Sequence, residues 1–298
     1  MSTRHEEGHR EIAPDRSAYW QAWLPGDPAR AVVIIVHGAH EHSARYAHVG
    51  ARLAAAGFAV YAADHRGHGR SDGRAGNIER MALIVADLSS FVRFARKRDP
   101  GLPVFMVGHS LGGLIALHYA TEDSGATESR TTEDSGASLD GLVVSGPAAQ
   151  TTAGSALQRR LAGVLSALVP NLGVVAIGAE EKISRDPEVV RAYREDPLVY
   201  RGKLKARTGA EILATMEGLP ARLPRLSMPL LLLHGTADQI CPPAGSVMVH
   251  ENVSSPDTTL HQYPGLYHEV FNEPEREQIL ADLISWLNHH LPPTHSAG

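Results

Sequence analysis

The stretch "VFMVGHSLGGLIALHYA", Val104 to Ala120, decides the fold. An apolar run stops at Gly108, a serine stands between glycines, and apolar residues resume at helical spacing. G-x-S-x-G after a strand and before a helix is a sharp, strained turn that lifts the serine hydroxyl clear of the sheet. The residues two before and two after the serine must be small to let strand and helix approach, and here they are Gly108 and Gly112. The helix that follows offers N–H groups and a positive dipole end to a developing oxyanion. "GHSLGG" matches the dinucleotide fingerprint G-x-G-x-x-G only loosely: Ser110 occupies a required glycine position, so a pyrophosphate could not approach the backbone.

Other runs repeat the form. "AVVIIVHG" (31–38), "FAVYAADHRGHG" (58–69), "LDGLVVSGP" (139–147) and "MPLLLLHGTAD" (228–238) are short, continuous and apolar. Such runs fit strands buried on both faces of a parallel sheet. "TTLHQYPG" (258–265) is more polar and belongs nearer an edge. Between them, "ERMALIVADLSSFVRFARKR" (79–98) and "EPEREQILADLISWLNHHL" (273–291) place apolar residues in steps of three and four. That spacing predicts amphipathic helices, the first with Asn77 as its cap. Strand and helix alternate, so the fold class is α/β with a mostly parallel central sheet flanked by helices.

Two stretches break the alternation. "TEDSGA" occurs at 121 and again at 132, within a polar, low-complexity segment that reads as a surface loop. Residues 148–226 carry helical segments and no good buried strand, so they read as a helical insertion between core regions 1–147 and 227–298.

Composition bounds the function. The chain has 298 residues, 43% apolar and 20% charged, with a formal net charge of −5. A core of this size needs no staples, and the charge argues against nucleic acid as a partner. The single cysteine, Cys241, allows no internal disulfide and fits a reducing, cytoplasmic setting. "MSTRHEEGHREIAPDR" has no apolar core, so it reads as a frayed, solvated tail and not as a secretory signal.

A serine nucleophile needs a base, and the base needs an orienting acid. In this strand–turn–helix context the order is serine, acid, histidine. Asp238 follows the strand "PLLLLHG", and His268 follows the next strand in "YPGLYHEVFNEP". Both sit where open α/β sheets build their sites, at strand C-terminal ends. Asp257, in the turn "SSPDTT", is the second choice of acid. With 17 histidines a histidine alone says little; His250, His261, His289 and His290 fall within regular elements and read as packed or solvated. The oxyanion donors are expected to be the N–H groups of Leu111, after the nucleophile, and Ala39, in the loop after the first strand. "HEH" at 40–42 lacks the helical H-E-x-x-H spacing of a zinc site.

"HGAHEHSARY", "DHRGHGRSDG", "GHSLGG", "SRDPEVVRAYREDP", "HGTADQICPP" and "YHEVFNE" together resemble the monoacylglycerol lipase family of serine α/β-hydrolases, its bacterial members in particular. The resemblance runs from about Tyr19 to Leu291. It implies the α/β-hydrolase fold and a catalytic triad of Ser110, Asp238 and His268, with Ala39 and Leu111 at the oxyanion hole. It implies substrate contacts from Glu41, Arg45, Tyr193 and His109, the first three near the glycerol end of a pocket, and a cysteine, Cys241, near the site. Glu41 and Arg45 are also spaced to form a local i,i+4 pair that holds their loop. The insertion at 148–226 would be the family's cap, supplying an apolar tunnel for an acyl chain. The implied reaction releases fatty acid and glycerol from a monoacylglycerol, with no metal or organic cofactor; a lysophospholipase or general carboxylesterase would carry the same triad. "LAGVLSALVPNLGVVAIG" (161–178) is apolar around much of its circumference, which fits either core packing or peripheral contact with a membrane.

Overall fold

In the computed structural model, residues 3–122, 139–150, 166–175 and 180–292 are described. Their framework is an eight-stranded sheet in the order β1-β2-β4-β3-β5-β6-β9-β10. The strands are β1 (Arg4–Ala13), β2 (Arg16–Leu24), β3 (Ala31–Val36), β4 (Phe58–Ala63), β5 (Val104–His109), β6 (Gly141–Ser145), β9 (Leu230–Gly235) and β10 (Thr258–Tyr263). The pairs β1–β2 and β2–β4 are antiparallel, and every other pair in this sheet is parallel.

Alternation within the apolar runs explains why both faces are covered. Val32, Ile34, Val104, Met106, Leu142 and Leu232 join one cluster with α2 (Met81–Arg98) and α3 (Leu111–Ala120). Val33, Ile35, Phe105, Val107, Val143 and Leu231 point the other way. They pack on α1 (Ala47–Ala55) and on the helix Arg276–His289, labelled α7 below. Each strand thus removes apolar surface from water on two sides, worth roughly 25 cal/mol per Å² buried.

The N-terminal segment corrects the expectation of a frayed tail. Residues 4–13 form an edge strand paired along its length with β2, Arg4 opposite Leu24 and Arg10 opposite Ala18. Its inward positions carry Glu6, Gly8 and Arg10, so no apolar alternation marks it. Arg10 reaches Ser90 at 3.0 Å and lies over the Phe94 ring. A charged edge of this kind also discourages pairing with other chains. β10 closes the opposite edge, as its polarity predicts.

Asn77 does not cap α2. The helix begins at Met81, and the Asn77 side chain accepts the Glu79 N–H in the turn before it. Between β6 and β9 lie β7 (Gly173–Val175), α4 (Pro187–Glu195), β8 (Leu204–Lys205) and α5 (Ala206–Arg222). β7 and β8 pair antiparallel, so the region adds a two-stranded ribbon to the expected helices. α6 (Ala244–Asn252) and α7 complete the chain. The second TEDSGA copy lies outside the described residues, as do 161–165 and 176–178 of the apolar stretch.

Candidate active site

Ser110 stands between β5 and α3 with φ 54° and ψ −119°, a conformation that a non-glycine residue pays for in strain. The flanking glycines are required by contact. A Cβ on Gly108 would lie 2.6 Å from the Gly112 carbonyl oxygen, and one on Gly112 would lie 2.1 Å from that of Val36. The strained serine is pinned by its own backbone: its N–H donates to Ser145 O, and its carbonyl accepts from Ala148 N. The elbow sits beside β3, where the strand order reverses, which is where open α/β sheets leave a crevice.

His268 and Asp238 come together from separate loops. His268 Nδ1 is 2.7 Å from Asp238 Oδ2, and both residues are buried. The other Asp238 oxygen accepts the N–H groups of Ile240 and Cys241, at 2.7 and 2.9 Å. Burial opposes the Asp238 charge, but hydrogen bonds from His234 and His268 outweigh it and hold the carboxyl well below the usual range. Asp257, the second choice of acid, pairs instead with His290 at 2.9 Å on the far edge.

His234 is a partner that the sequence reading missed. Its Nε2 lies 3.1 Å from Asp238 Oδ2 and 3.1 Å from Cys241 O, and its Nδ1 lies 2.7 Å from Ser246 Oγ. Two acceptors at Nε2 place the proton there, so His234 donates to the same oxygen that His268 uses. Its position in the last turn of an apolar strand gave no hint of this. Cys241 is buried, its side chain bonded to that of Ser110, and burial pushes its thiol pKa far up, leaving it neutral.

The loop after β3 faces the serine: a Cβ on Gly38 would lie 3.1 Å from Ser110 Cβ. Gly38 N–H donates to Glu41 Oε1 at 2.6 Å, and Gly38 O accepts from His37 Nδ1 at 2.8 Å. His40 adopts φ 64°. With these anchors the loop is fixed, and neither Ala39 N–H nor Leu111 N–H has a hydrogen-bond partner among the described residues.

Glu41, Arg45 and Tyr193 do meet, and a further residue, Glu269, joins them. Arg45 Nη1 bonds Glu41 Oε2 at 2.6 Å, which is the expected local pair. The same guanidinium grips Glu269 through two bonds of 2.7 Å and stacks over the Tyr193 ring at 4.7 Å. Tyr46 donates to Glu41 Oε1 at 2.8 Å. Burial works against the Glu269 charge, but Arg45 overrides it and brings the carboxyl down to about 2. All three acidic and basic groups are buried, with their polar atoms engaged by one another.

His109 is buried, 3.3 Å from Ser145 Oγ through Nδ1, with its ring 4.6 Å from that of His268. Burial and the neighbouring His268 push it down to about 3, so it stays neutral. Segments between β6 and β9 buttress the loops. Glu269 N donates to Ile183 O, Ser184 Oγ to Asn272 O, and Tyr200 N to His40 O. His42 Nε2 lies 2.9 Å from Asp196 Oδ2. Among the described residues no group of three His, Cys, Asp or Glu side chains is placed to hold a metal ion. The Ser110 side chain bonds that of Cys241, whose backbone N–H in turn bonds Asp238, so the strained serine and the oriented histidine–aspartate pair meet around Cys241, and these are the groups that acyl transfer through a covalent intermediate needs.

Known proteins resemble the chain along nearly its whole length. A family described as "Serine aminopeptidase, S33" matches residues 27–275. The chain is 40% identical over 291 residues to the monoacylglycerol lipase of Mycolicibacterium smegmatis, an alignment covering 97% of this chain and 99% of that relative. It is 33% identical to the monoglyceride lipase of Homo sapiens, over 97% of this chain and 92% of the human protein. The crystal structure of the monoacylglycerol lipase from Paleococcus ferrophilus matches with a TM-score of 0.76 at 32% identity, covering 97% of this chain and 100% of that one. From the elbow, the sheet order and these relatives together, the chain belongs to the monoacylglycerol lipase family of serine α/β-hydrolases.

Proposed function

We propose that the chain hydrolyses monoacylglycerols to fatty acid and glycerol, with Ser110 as nucleophile, His268 as general base and acid, and Asp238 as its orienting carboxylate. The observation that supports this reading is the 2.7 Å bond from His268 Nδ1 to Asp238, a pair linked through Cys241 to a serine held at positive φ. Ser110 Oγ attacks the ester carbonyl carbon while His268 Nε2 takes its proton. Asp238 keeps the imidazole in the Nδ1–H tautomer and stabilises the imidazolium. The N–H groups of Ala39 and Leu111 receive the oxyanion. His268 then protonates the departing glycerol oxygen. Water, deprotonated by the same ring, attacks the acyl-enzyme, and Ser110 leaves with the proton that His268 returns.

In this reading residues 148–226 are a cap over the serine that receives the acyl chain. Glu41 and Arg45 act by bracing the Ala39 loop, and Tyr193, stacked on Arg45, lies toward the glycerol end. The apolar cap segment rests against a membrane and draws its amphipathic substrate from there. Leu168, Val169, Leu172 and Val175 are exposed, in support of that contact. No helix among the described residues is long and apolar enough to cross a membrane.

The test is covalent. Incubation with a long-chain fluorophosphonate, followed by mass spectrometry of the digested protein, is expected to place one adduct on Ser110. Labelling of another residue, or undiminished labelling of Ser110→Ala, contradicts the assignment.

A further inference from the structure

A pocket of about 320 Å³ lies away from Ser110, where the start of α2 meets the region between β6 and β9. Arg16, Arg74, Arg80 and Arg207 line it, with Glu79 as the only carboxylate among its lining residues. Glu79 is already committed to Arg16 and Arg66. Arg207 has Glu211 at a loose 3.9 Å, and Glu211 also accepts the Met81 N–H. Arg74 and Arg80 are exposed and form no ion pair among the described residues. The N-terminus of α2 lies at the same place, its N-cap Arg80 making no capping bond and its first N–H donating to Glu211.

Apolar side chains also border this pocket. Leu83 lines it and is exposed, and Pro170 and Asn171 supply a further part of its wall. Those two residues lie within the segment 168–175, which carries exposed Leu168, Val169, Leu172, Val174 and Val175. Among the described residues, every exposed large apolar side chain is Leu83 or belongs to this segment. The wall is fixed in place: Asn77 Nδ2 donates to Asn171 Oδ1, Arg207 N to Pro170 O, and Ala206 N to Leu172 O. A cationic pocket beside fixed, exposed aliphatic side chains is complementary to one kind of surface, an acyl layer studded with anionic headgroups.

We propose that this pocket takes the phosphate of an anionic phospholipid when the 168–175 segment meets a membrane, so that docking selects negatively charged bilayers. The site has no part in ester cleavage. It rests on the reading that the substrate is drawn from a lipid surface, and the experiment below tells a failure of the one from a failure of the other.

The experiment is co-sedimentation of the full chain with phosphatidylcholine vesicles, with and without phosphatidylglycerol, at low and high salt. Arg74→Glu/Arg80→Glu is compared with wild type, and hydrolysis of a water-soluble short ester reports that each protein is folded and active. Each basic side chain near an anionic surface contributes roughly fivefold in partitioning. The double charge reversal is therefore expected to lower binding to phosphatidylglycerol vesicles by about tenfold or more, with short-ester hydrolysis unchanged. High salt is expected to weaken wild-type binding in the same direction. Equal binding to both vesicle types, or equal binding by the double variant, overturns the proposal. So does thermal stabilisation by inorganic phosphate at fixed ionic strength that the double variant loses, which would make this a site for a free phosphate. Normal vesicle binding without monoacylglycerol hydrolysis in detergent micelles would remove the substrate reading and leave the docking site standing.

Discussion

Arg45 ties together the two loops that flank the nucleophile: it bonds Glu41, which holds Gly38 N–H, and it grips Glu269, the residue after His268. One guanidinium thereby ties the loop that carries Ala39 to the loop that carries His268. Arg45→Met is expected to leave two buried carboxylates without their cation. Breaking a buried pair in this way costs about 3–5 kcal/mol. Urea unfolding checks it, together with kcat on a short ester, which is expected to fall because both loops lose their common anchor. A stability change below about 1 kcal/mol with unaltered kcat would make the network ornamental.

His234 shares Asp238 Oδ2 with His268. In His234→Phe the carboxylate loses a donor and Ser246 loses its acceptor. A hydrogen bond to a charged group is worth about 1.5 kcal/mol, or roughly tenfold in rate if it is felt in the transition state. The expected result is a tenfold lower kcat with KM little changed. An unchanged kcat would mean that the two backbone N–H groups and His268 orient Asp238 unaided.

Acid sensitivity follows from the buried histidines. Burial drives His40, His65 and His109 down to about 3, and it drives His37 and His68 down as well. These groups titrate near 6.5 in the unfolded chain. Between those limits the unfolded state binds more protons than the folded one, so stability is complete above pH 6.5 and declines as pH falls toward 3. Each histidine contributes up to about 1.4 kcal/mol per pH unit inside the window. Glu269 acts lower still, its contribution present above about 4.5 and lost as pH falls through about 2. Urea midpoints measured downward from neutral pH are expected to drop steeply below about pH 6, where the unperturbed imidazoles charge. A flat profile to pH 5 would contradict the neutral, buried cluster.

Gly146 separates backbone strain from contact with the site. It has φ 49°, and a Cβ there would lie 3.1 Å from His268 O, 3.2 Å from its Nδ1 and 3.4 Å from Asp238 Oδ2. Gly265, with φ 75°, would meet nothing within 4 Å. Both substitutions to alanine are expected to cost about 1 kcal/mol or more of stability through strain. Only Gly146→Ala is expected to depress kcat as well, because it presses on the His268–Asp238 pair. Equal kcat for the two variants would contradict that.

The parallel core was legible because its inner strands β3, β5, β6 and β9 are buried on both faces, which turns each into a solid apolar run such as Val32 to Val36. Edge strand β1 was not, because its inward residues include Glu6 and Arg10, whose aliphatic and paired parts do the covering. The turn at Ser110 and the two loops carrying Asp238 and His268 could be placed from order and turn context. His234 and Glu269 could not. Both act through side-chain bonds that only the fold forms, and no local pattern distinguishes them from a core histidine or a surface acid. Glu269 lay in a quoted motif, yet its partner Arg45 is more than two hundred residues away. The ribbon β7–β8 is too short to leave a period in the sequence.

The most direct test of the account is fatty-acid release from mono-, di- and triacylglycerols across chain lengths, beside a water-soluble short ester, with Ser110→Ala as the blank. The account predicts preferred cleavage of monoacylglycerols by the wild type. It also predicts a loss of at least about a thousandfold in Ser110→Ala, which should fold normally. Rapid turnover of the short ester with monoacylglycerols ignored would leave a general carboxylesterase, and wild-type rates in Ser110→Ala would contradict the mechanism itself.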